Sequence, residues 1–220
     1  YAGLPHGTPC LTINKVCGPG LKAVMLADQA IRSGQAELVV AGGMENMTLA
    51  PYLLPKARSG FRLGNSEVID SMIKDGLWDV YNNIHMGSCA ELCAKEYRIS
   101  REEQDRYSIQ SYERAIQATN DGMFKKEIIA VEADAGKGQK SLIEKDEEPF
   151  KANLEKLKSL KPVFEKDGTV TAGNASSIND GAAALVLMSS EMAEKRGLKP
   201  LARIAGYAQA AVKPEWFTIA

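Results

Sequence analysis

Long apolar runs are missing from this 220-residue chain, so no stretch of it reads as a segment that crosses a bilayer, and no membrane partner is expected. Charge of one sign is missing too. With 27 basic and 28 acidic residues the formal charge is -1, a balance that recommends neither nucleic acid nor an acidic membrane surface. Histidine is scarce, and His6 and His85 have no ligand-pair spacing. Cysteine is scarce as well. Cys10, Cys17, Cys89 and Cys93 in a chain of this size do not look like a secreted disulfide framework, and a reducing compartment fits better. Cys89 and Cys93 would share one helical face, but a zinc site needs two further ligands. Two core-facing cysteines are the simpler reading, and no metal site is expected. No signal peptide opens the chain, and Tyr1 in place of Met leaves room for a start further upstream.

What is present is an ordinary globular composition, 45% hydrophobic, enough for one large or two small domains. The stretch that organises it is Asn14-Lys15-Val16-Cys17-Gly18-Pro19-Gly20. Cys10 to Ile13 read as the end of a strand, and Leu21 to Ser33 as an amphipathic helix closed by Gly34. Cys17 thus falls where strand turns into helix. Unpaired N–H groups and the positive end of the helix dipole point at that place and would stabilise a thiolate. Pro19 suits a first helical turn because it has no N–H to leave unpaired, and Gly18 and Gly20 clear side chains from around the sulfur. From these residues alone two readings stay open, a nucleophile and a small buried cysteine at a helix start.

Further along, Glu37 to Ala41 reads as a strand buried on both faces. Gly42-Gly43 after it is either a close approach of backbone to a site or a plain strand-ending turn. Residues 51–65 have apolar side chains without helical or strand period and are too oily for a free linker. Short helices are expected over Ser66 to Asp75 and Ser88 to Tyr97. Ser100 and Glu103 form a capping-box pattern for a helix to about Thr119. Ile128 to Val131 reads as a brief strand, Ala135 to Gln139 as a polar turn, and Glu144 to Glu148 as a solvated acidic run. The basic stretch Lys151 to Lys161 would help beside a phosphorylated ligand, though such stretches are more often plain surface. From Gly168 strand and helix alternate again: a buried strand at Ala182 to Met188, a helix capped by Ser190 and ended by Gly197, and a strand at Leu201 to Tyr207. The expected architecture is α/β, a layered core from residues 1–47 and 168–220 interrupted by a helix-rich insertion over 48–167.

Four stretches carry a resemblance in one order along the chain. They are Asn14-Lys15-Val16-Cys17, Gly42-Gly43-Met44-Glu45-Asn46-Met47, His85-Met86-Gly87 with Ser88-Cys89-Ala90-Glu91, and Thr171-Ala172-Gly173-Asn174-Ala175-Ser176 leading into Asn179-Asp180-Gly181-Ala182. Together they resemble the thiolases, enzymes that join or split acyl-CoA units, and the His85-Met86 pair resembles the acetoacetyl-CoA branch. The resemblance implies a thiolase-like layered core with an inserted loop domain that covers CoA. It implies acetyl-CoA and acetoacetyl-CoA as substrates, with coenzyme A as substrate or product and no tightly bound cofactor. It makes Cys17 the nucleophile, its backbone N–H helping to bind the thioester oxyanion. His85 and Phe164 would border the pantetheine arm, Ser176 would hydrogen-bond it, and Met86 would shape the acyl pocket. Tyr112, Lys151, Asn153 and Lys156 would meet the nucleotide end of CoA. His85 as a tie for backbone near Gly87, and Ser176 as a turn former, remain alternatives.

By the same resemblance the loop at about 51–65 joins dimers into a homotetramer, the alternative being a loop folded on its own domain. Potassium is conceivable, because Tyr112 and the Ala172 to Ala175 backbone match the ion-binding branch. Gly173 departs from the alanine there, and potassium is not predicted. The compartment expected is the cytoplasm, with the mitochondrion as the alternative. Pro19 stands where the family has serine or a similar small residue. The Asn-Glu-Ala-Phe, Gly-His-Pro and Cys-x-Gly-Gly-Gly motifs that complete a thiolase site do not occur in the sequence, nor do the strands and helix expected before Tyr1. The 220 residues alone are therefore expected not to turn over. Competing expectations are a ketoacyl or hydroxymethylglutaryl-CoA synthase sharing the core, and a non-catalytic CoA-binding or interaction fragment.

Overall fold

The structure, a computed structural model, describes residues 2–136 and 138–220. Helix α1 (Pro19–Arg32) starts on a proline at its first position, carries an Arg32–Asp28 ion pair of 2.6 Å on its last turn, and is closed by Ser33 and by Gly34 at φ 75°. Strand β1 (Leu38–Asn46) follows. It runs on through Gly42-Gly43, so the strand-ending turn is not formed there. The reason is its partner: β1 stays in antiparallel register with a distant strand from Leu38↔Met188 to Asn46↔Asp180 without a break.

Strands β2 (Tyr52–Leu53) and β3 (Ile69–Asp70) pair antiparallel around a loop that contains a 3-10 turn at Ala57–Ser59. Helix α2 (Ser71–Gly76) begins five residues later than expected. Residues 69–70 are held in strand pairing, and the Asp70 carboxylate accepts from the Met72 N–H at 2.9 Å to cap the helix. After the two-residue strands β4 (Trp78–Asp79) and β5 (Ile84–His85) come α3 (Met86–Glu96) and α4 (Arg101–Asn120). The capping box at the head of α4 forms as its spacing predicts, with Ser100 and Glu103 bonding each other's backbone.

Strands β6 (Val131–Gly136) and β7 (Gln139–Ile143) make an antiparallel hairpin that starts where the expected strand ends. The expected turn at 135–139 falls partly on Lys137, outside the described residues. Two one-turn helices, α5 (Glu148–Lys151) and α6 (Leu154–Leu157), precede β8 (Asp180–Met188) and α7 (Ser190–Lys195). The cap of α7 is Ser189, whose hydroxyl accepts from Met192 N–H at 3.1 Å, and not Ser190, which is already helical.

Two strands read from sequence are absent: residues 10–13 and 201–207 take no ladder pairing among the described residues. A strand is stable only against a partner, and β1 and β8 pair with each other. Burial on both faces also fails for this pair. Helix α1 covers the face that holds Ala41, which is buried, while Val40 and its partner Val186 on the other face are 51% and 61% exposed.

The chain divides into two compact units, residues 1–78 with 178–211 and residues 79–177 with 212–220, where the sequence reading puts its boundaries at 47/48 and 167/168. In the first, Ala27, Ala41 and Ala193 are buried; in the second, Cys89, Ala94, Leu157, Val170 and Thr171. Among the described residues no helix is long and apolar enough to cross a membrane.

Candidate active site

In the first unit the Lys15–Gly18 turn presents Cys17. The Gly18 N–H donates to the Lys15 carbonyl at 3.0 Å, and the Asn14 side chain accepts from the Val16 N–H at 3.2 Å. Val16 sits at φ 49°, a left-handed conformation that a β-branched residue rarely adopts. Cys17 is exposed, so the buried-cysteine reading does not hold. Gly18, the residue before α1, has no side chain to cap the helix, leaving first-turn N–H groups for another acceptor. Beneath the turn, backbone meets backbone. A Cβ on Gly43 would lie 3.1 Å from the Gly20 Cα, so Gly43 serves close packing of α1 on β1. A Cβ on Gly42 would collide with the Ala183 carbonyl in β8.

In the second unit His85 precedes α3 and caps it, its Nδ1 accepting from the Gly87 N–H at 3.0 Å. The imidazole thus does tie down backbone at Gly87, and a neutral ring in this arrangement carries its proton on Nε2. The same ring stacks on Phe164, centroids 4.9 Å apart. Gly87 makes this possible, because any Cβ there would run into the Phe164 ring. Met86, half-buried, opens α3 beside this pair. Ser176 is exposed in the loop that follows Asn174.

Tyr112 on α4 donates its hydroxyl to the Glu148 carboxylate at 3.0 Å, and burial, then that carboxylate, pushes its phenol pKa up. Lys151 pairs with Glu147 at 2.8 Å, both exposed. The Asn153 side chain caps α6 by accepting from the Lys156 N–H at 3.1 Å, and the Lys156 side chain is exposed. The structure therefore brings His85, Met86 and Phe164 together, and Tyr112 with the α5 helix that holds Lys151. The two pairings each occupy a group expected at the nucleotide end of a ligand. Among the described residues no set of three or more His, Cys, Asp or Glu is arranged for a metal ion. Cys89 is fully buried, and burial, then Asp79 and Glu215, raises its thiol pKa, as suits a core residue.

Sequence reasoning missed a set of buried and half-buried polar residues in the second unit. Glu91 on α3 accepts from the backbone of Thr169 and Val170. Asn174 donates to Asp105 and to the Thr169 carbonyl, both at 3.0 Å, and accepts from the Thr171 N–H at 2.7 Å. Arg101 pairs with Asp105 at 2.8 Å and reaches the Leu157 and Leu160 carbonyls. The one signal available was the Arg101–Asp105 spacing of four on a capped helix. Glu91 and Asn174 have partners too distant in sequence to suggest themselves.

Comparison with known proteins places this geometry in a family. Residues 1–191 match the family model described as thiolase, N-terminal domain. Acetyl-CoA acetyltransferase 1 of Arabidopsis thaliana is 57% identical over 219 residues, covering 99% of this chain and 53% of the relative. Acetyl-CoA acetyltransferase of Pseudomonas aeruginosa is 54% identical over 214 residues, 97% of this chain and 54% of the relative. The chain spans about half the length of the curated relatives it matches. With an exposed cysteine at a glycine-flanked helix start and a family match over most of its residues, the chain belongs to the thiolase family.

Proposed function

We propose that the full-length protein is an acetyl-CoA acetyltransferase that works through an acyl-cysteine at Cys17. The observation that carries this reading is the exposure of Cys17 on a turn immediately before α1, in a thiolase-family chain. The form that attacks is the thiolate, the nucleophilic state of a cysteine. The thiolate adds to the carbonyl of one acetyl-CoA, the tetrahedral oxyanion collapses, and CoA leaves as its thiolate and takes up a proton. The enolate of a second acetyl-CoA then attacks the acyl carbonyl, forming the carbon–carbon bond of acetoacetyl-CoA and releasing the Cys17 thiolate. Thiolysis is the same sequence run backward. A thioester exchanged for a thioester changes little in energy, so a sulfur nucleophile suits reaction in both directions.

On this reading Met86 shapes the acyl pocket, and His85, Phe164 and Ser176 take the pantetheine arm. Tyr112, Lys151, Asn153 and Lys156 lie toward the nucleotide end. The base and proton carrier come from the Gly-His-Pro and Cys-x-Gly-Gly-Gly motifs outside these residues. The exposed Tyr52, Phe61 and Leu63 of the 51–65 loop support a homotetramer, and cytoplasm is the proposed compartment. The test is acetoacetyl-CoA thiolysis by the full-length protein with and without Cys17→Ser. A loss of about a thousandfold or more is expected, with acetyl label in the wild-type peptide that contains Cys17. Retained activity, or label elsewhere, overturns the assignment.

A further inference from the structure

We infer that Glu91 is a positioning residue for the substrate's pantetheine tail, an assignment that rests on the thiolase reading above. Its side chain is buried, the residue being 6% exposed, and among the described residues no lysine or arginine pairs with it. The charge is spent instead on one short segment. Oε1 accepts from the Thr169 N–H at 2.8 Å and the Val170 N–H at 2.7 Å, and Oε2 from the Thr169 N–H and hydroxyl, both at 2.9 Å. Hydrogen bonds to an ionised acceptor are the strong kind, and their neighbourhood admits nothing more: a Cβ on Gly168 would collide with Oε1.

The clamped segment reaches the site by two routes. Val170 carbonyl accepts from the Val163 N–H at 3.1 Å, which fixes the residue next to Phe164, the ring stacked on His85. Beyond Thr171, the Asn174 side chain closes the turn that leads to Ser176. His85 caps the first turn of α3, and Glu91 lies on the second turn of that helix. One helix therefore sets both sides of the proposed tail-binding surface: its head holds His85 against Phe164, and its middle holds the backbone that carries Phe164 and Ser176. The hydrogen bonds of the clamp all lie within the second unit, and Cys17 belongs to the first. Loosening the clamp weakens binding of the tail and leaves the nucleophile as reactive as before.

The experiment uses the full-length protein with Glu91→Gln, which puts an amide NH2 against N–H donors, and the milder Thr169→Val, which removes the hydroxyl that donates to Glu91 and accepts from the Gln104 side chain but keeps the backbone N–H donors. KM for CoA in thiolysis rises about tenfold in the first and about threefold in the second. Turnover per iodoacetamide-titratable site stays within about twofold, and so does the alkylation rate at Cys17. A role in general stability would instead lower the fraction of titratable sites at unaltered KM, and that result overturns the inference, as does an unchanged KM in both variants. Amide exchange at Thr169 and Val170 is read in parallel and needs no turnover. Exchange at least about tenfold faster in Glu91→Gln, confined to residues 168–176, is expected, and unaltered exchange refutes the clamp. Faster exchange in a protein whose wild type does not acylate Cys17 would sink the thiolase reading and leave the clamp standing.

Discussion

At the scale of single residues, the turn that presents Cys17 holds strain. Val16 at φ 49° is a β-branched side chain in a conformation suited to glycine or asparagine, and at 59% exposure it buries little in compensation. Val16→Gly relieves that strain and adds unfolded-chain freedom of smaller size, so a net gain of about 1 kcal/mol is expected. The check is a melting temperature a few degrees higher in thermal unfolding; an equal or lower one means that the turn is relaxed as it stands. Cys17 itself was legible, because a cysteine ahead of Gly-Pro-Gly and an apolar helix is a local pattern. Glu91 was not. A glutamate inside a helix looks like any solvated surface residue until the segment 78 residues downstream folds over it.

At the scale of elements, two strong local signals formed as read, while several features that depend on a distant partner did not. The α4 capping box and the proline start of α1 depend on residues within four positions of each other, and both formed. The strands expected at 10–13 and 201–207 had the right side chains and no ladder to join. Gly42-Gly43 failed as a turn for the same reason inverted, since β8 keeps β1 extended through both glycines. Two glycines of this ladder with different surroundings, Gly43 and Gly181, make a test. A Cβ at Gly43 would sit tightly, 3.1 Å from the Gly20 Cα at the start of α1, whereas a Cβ on Gly181 meets nothing within 4 Å. Gly43→Ala is expected to cost about 1–3 kcal/mol in chemical unfolding and to slow alkylation of Cys17, with Gly181→Ala neutral in both. Equal effects would mean that α1 and β1 are not in close contact at that point.

At the scale of the whole molecule, stability should be sensitive to acid. Hydrogen bonds hold three carboxylates below the usual range near 4: Asp79 chiefly through the Asn82 side chain, Glu103 through Ser100, and Asp180 through Thr48. A group whose folded pKa is depressed contributes stability that is complete above its unfolded value and is lost as pH falls through the folded one. The melting temperature is therefore expected to hold steady from pH 7 to about 5 and to fall below about 4, with the decline less steep in Asp180→Asn. A profile flat down to pH 3 would contradict the hydrogen-bond assignments.

The bare contact between Gly20 and Gly43 bears on any attempt to reshape this protein. Where main chain abuts main chain there is nothing to trim and, at Gly43, little room to enlarge, so the seat of the Cys17 turn offers the engineer few adjustable parts. On the function proposed, altered substrate range is sought instead through Met86 and Phe164, whose side chains can be resized.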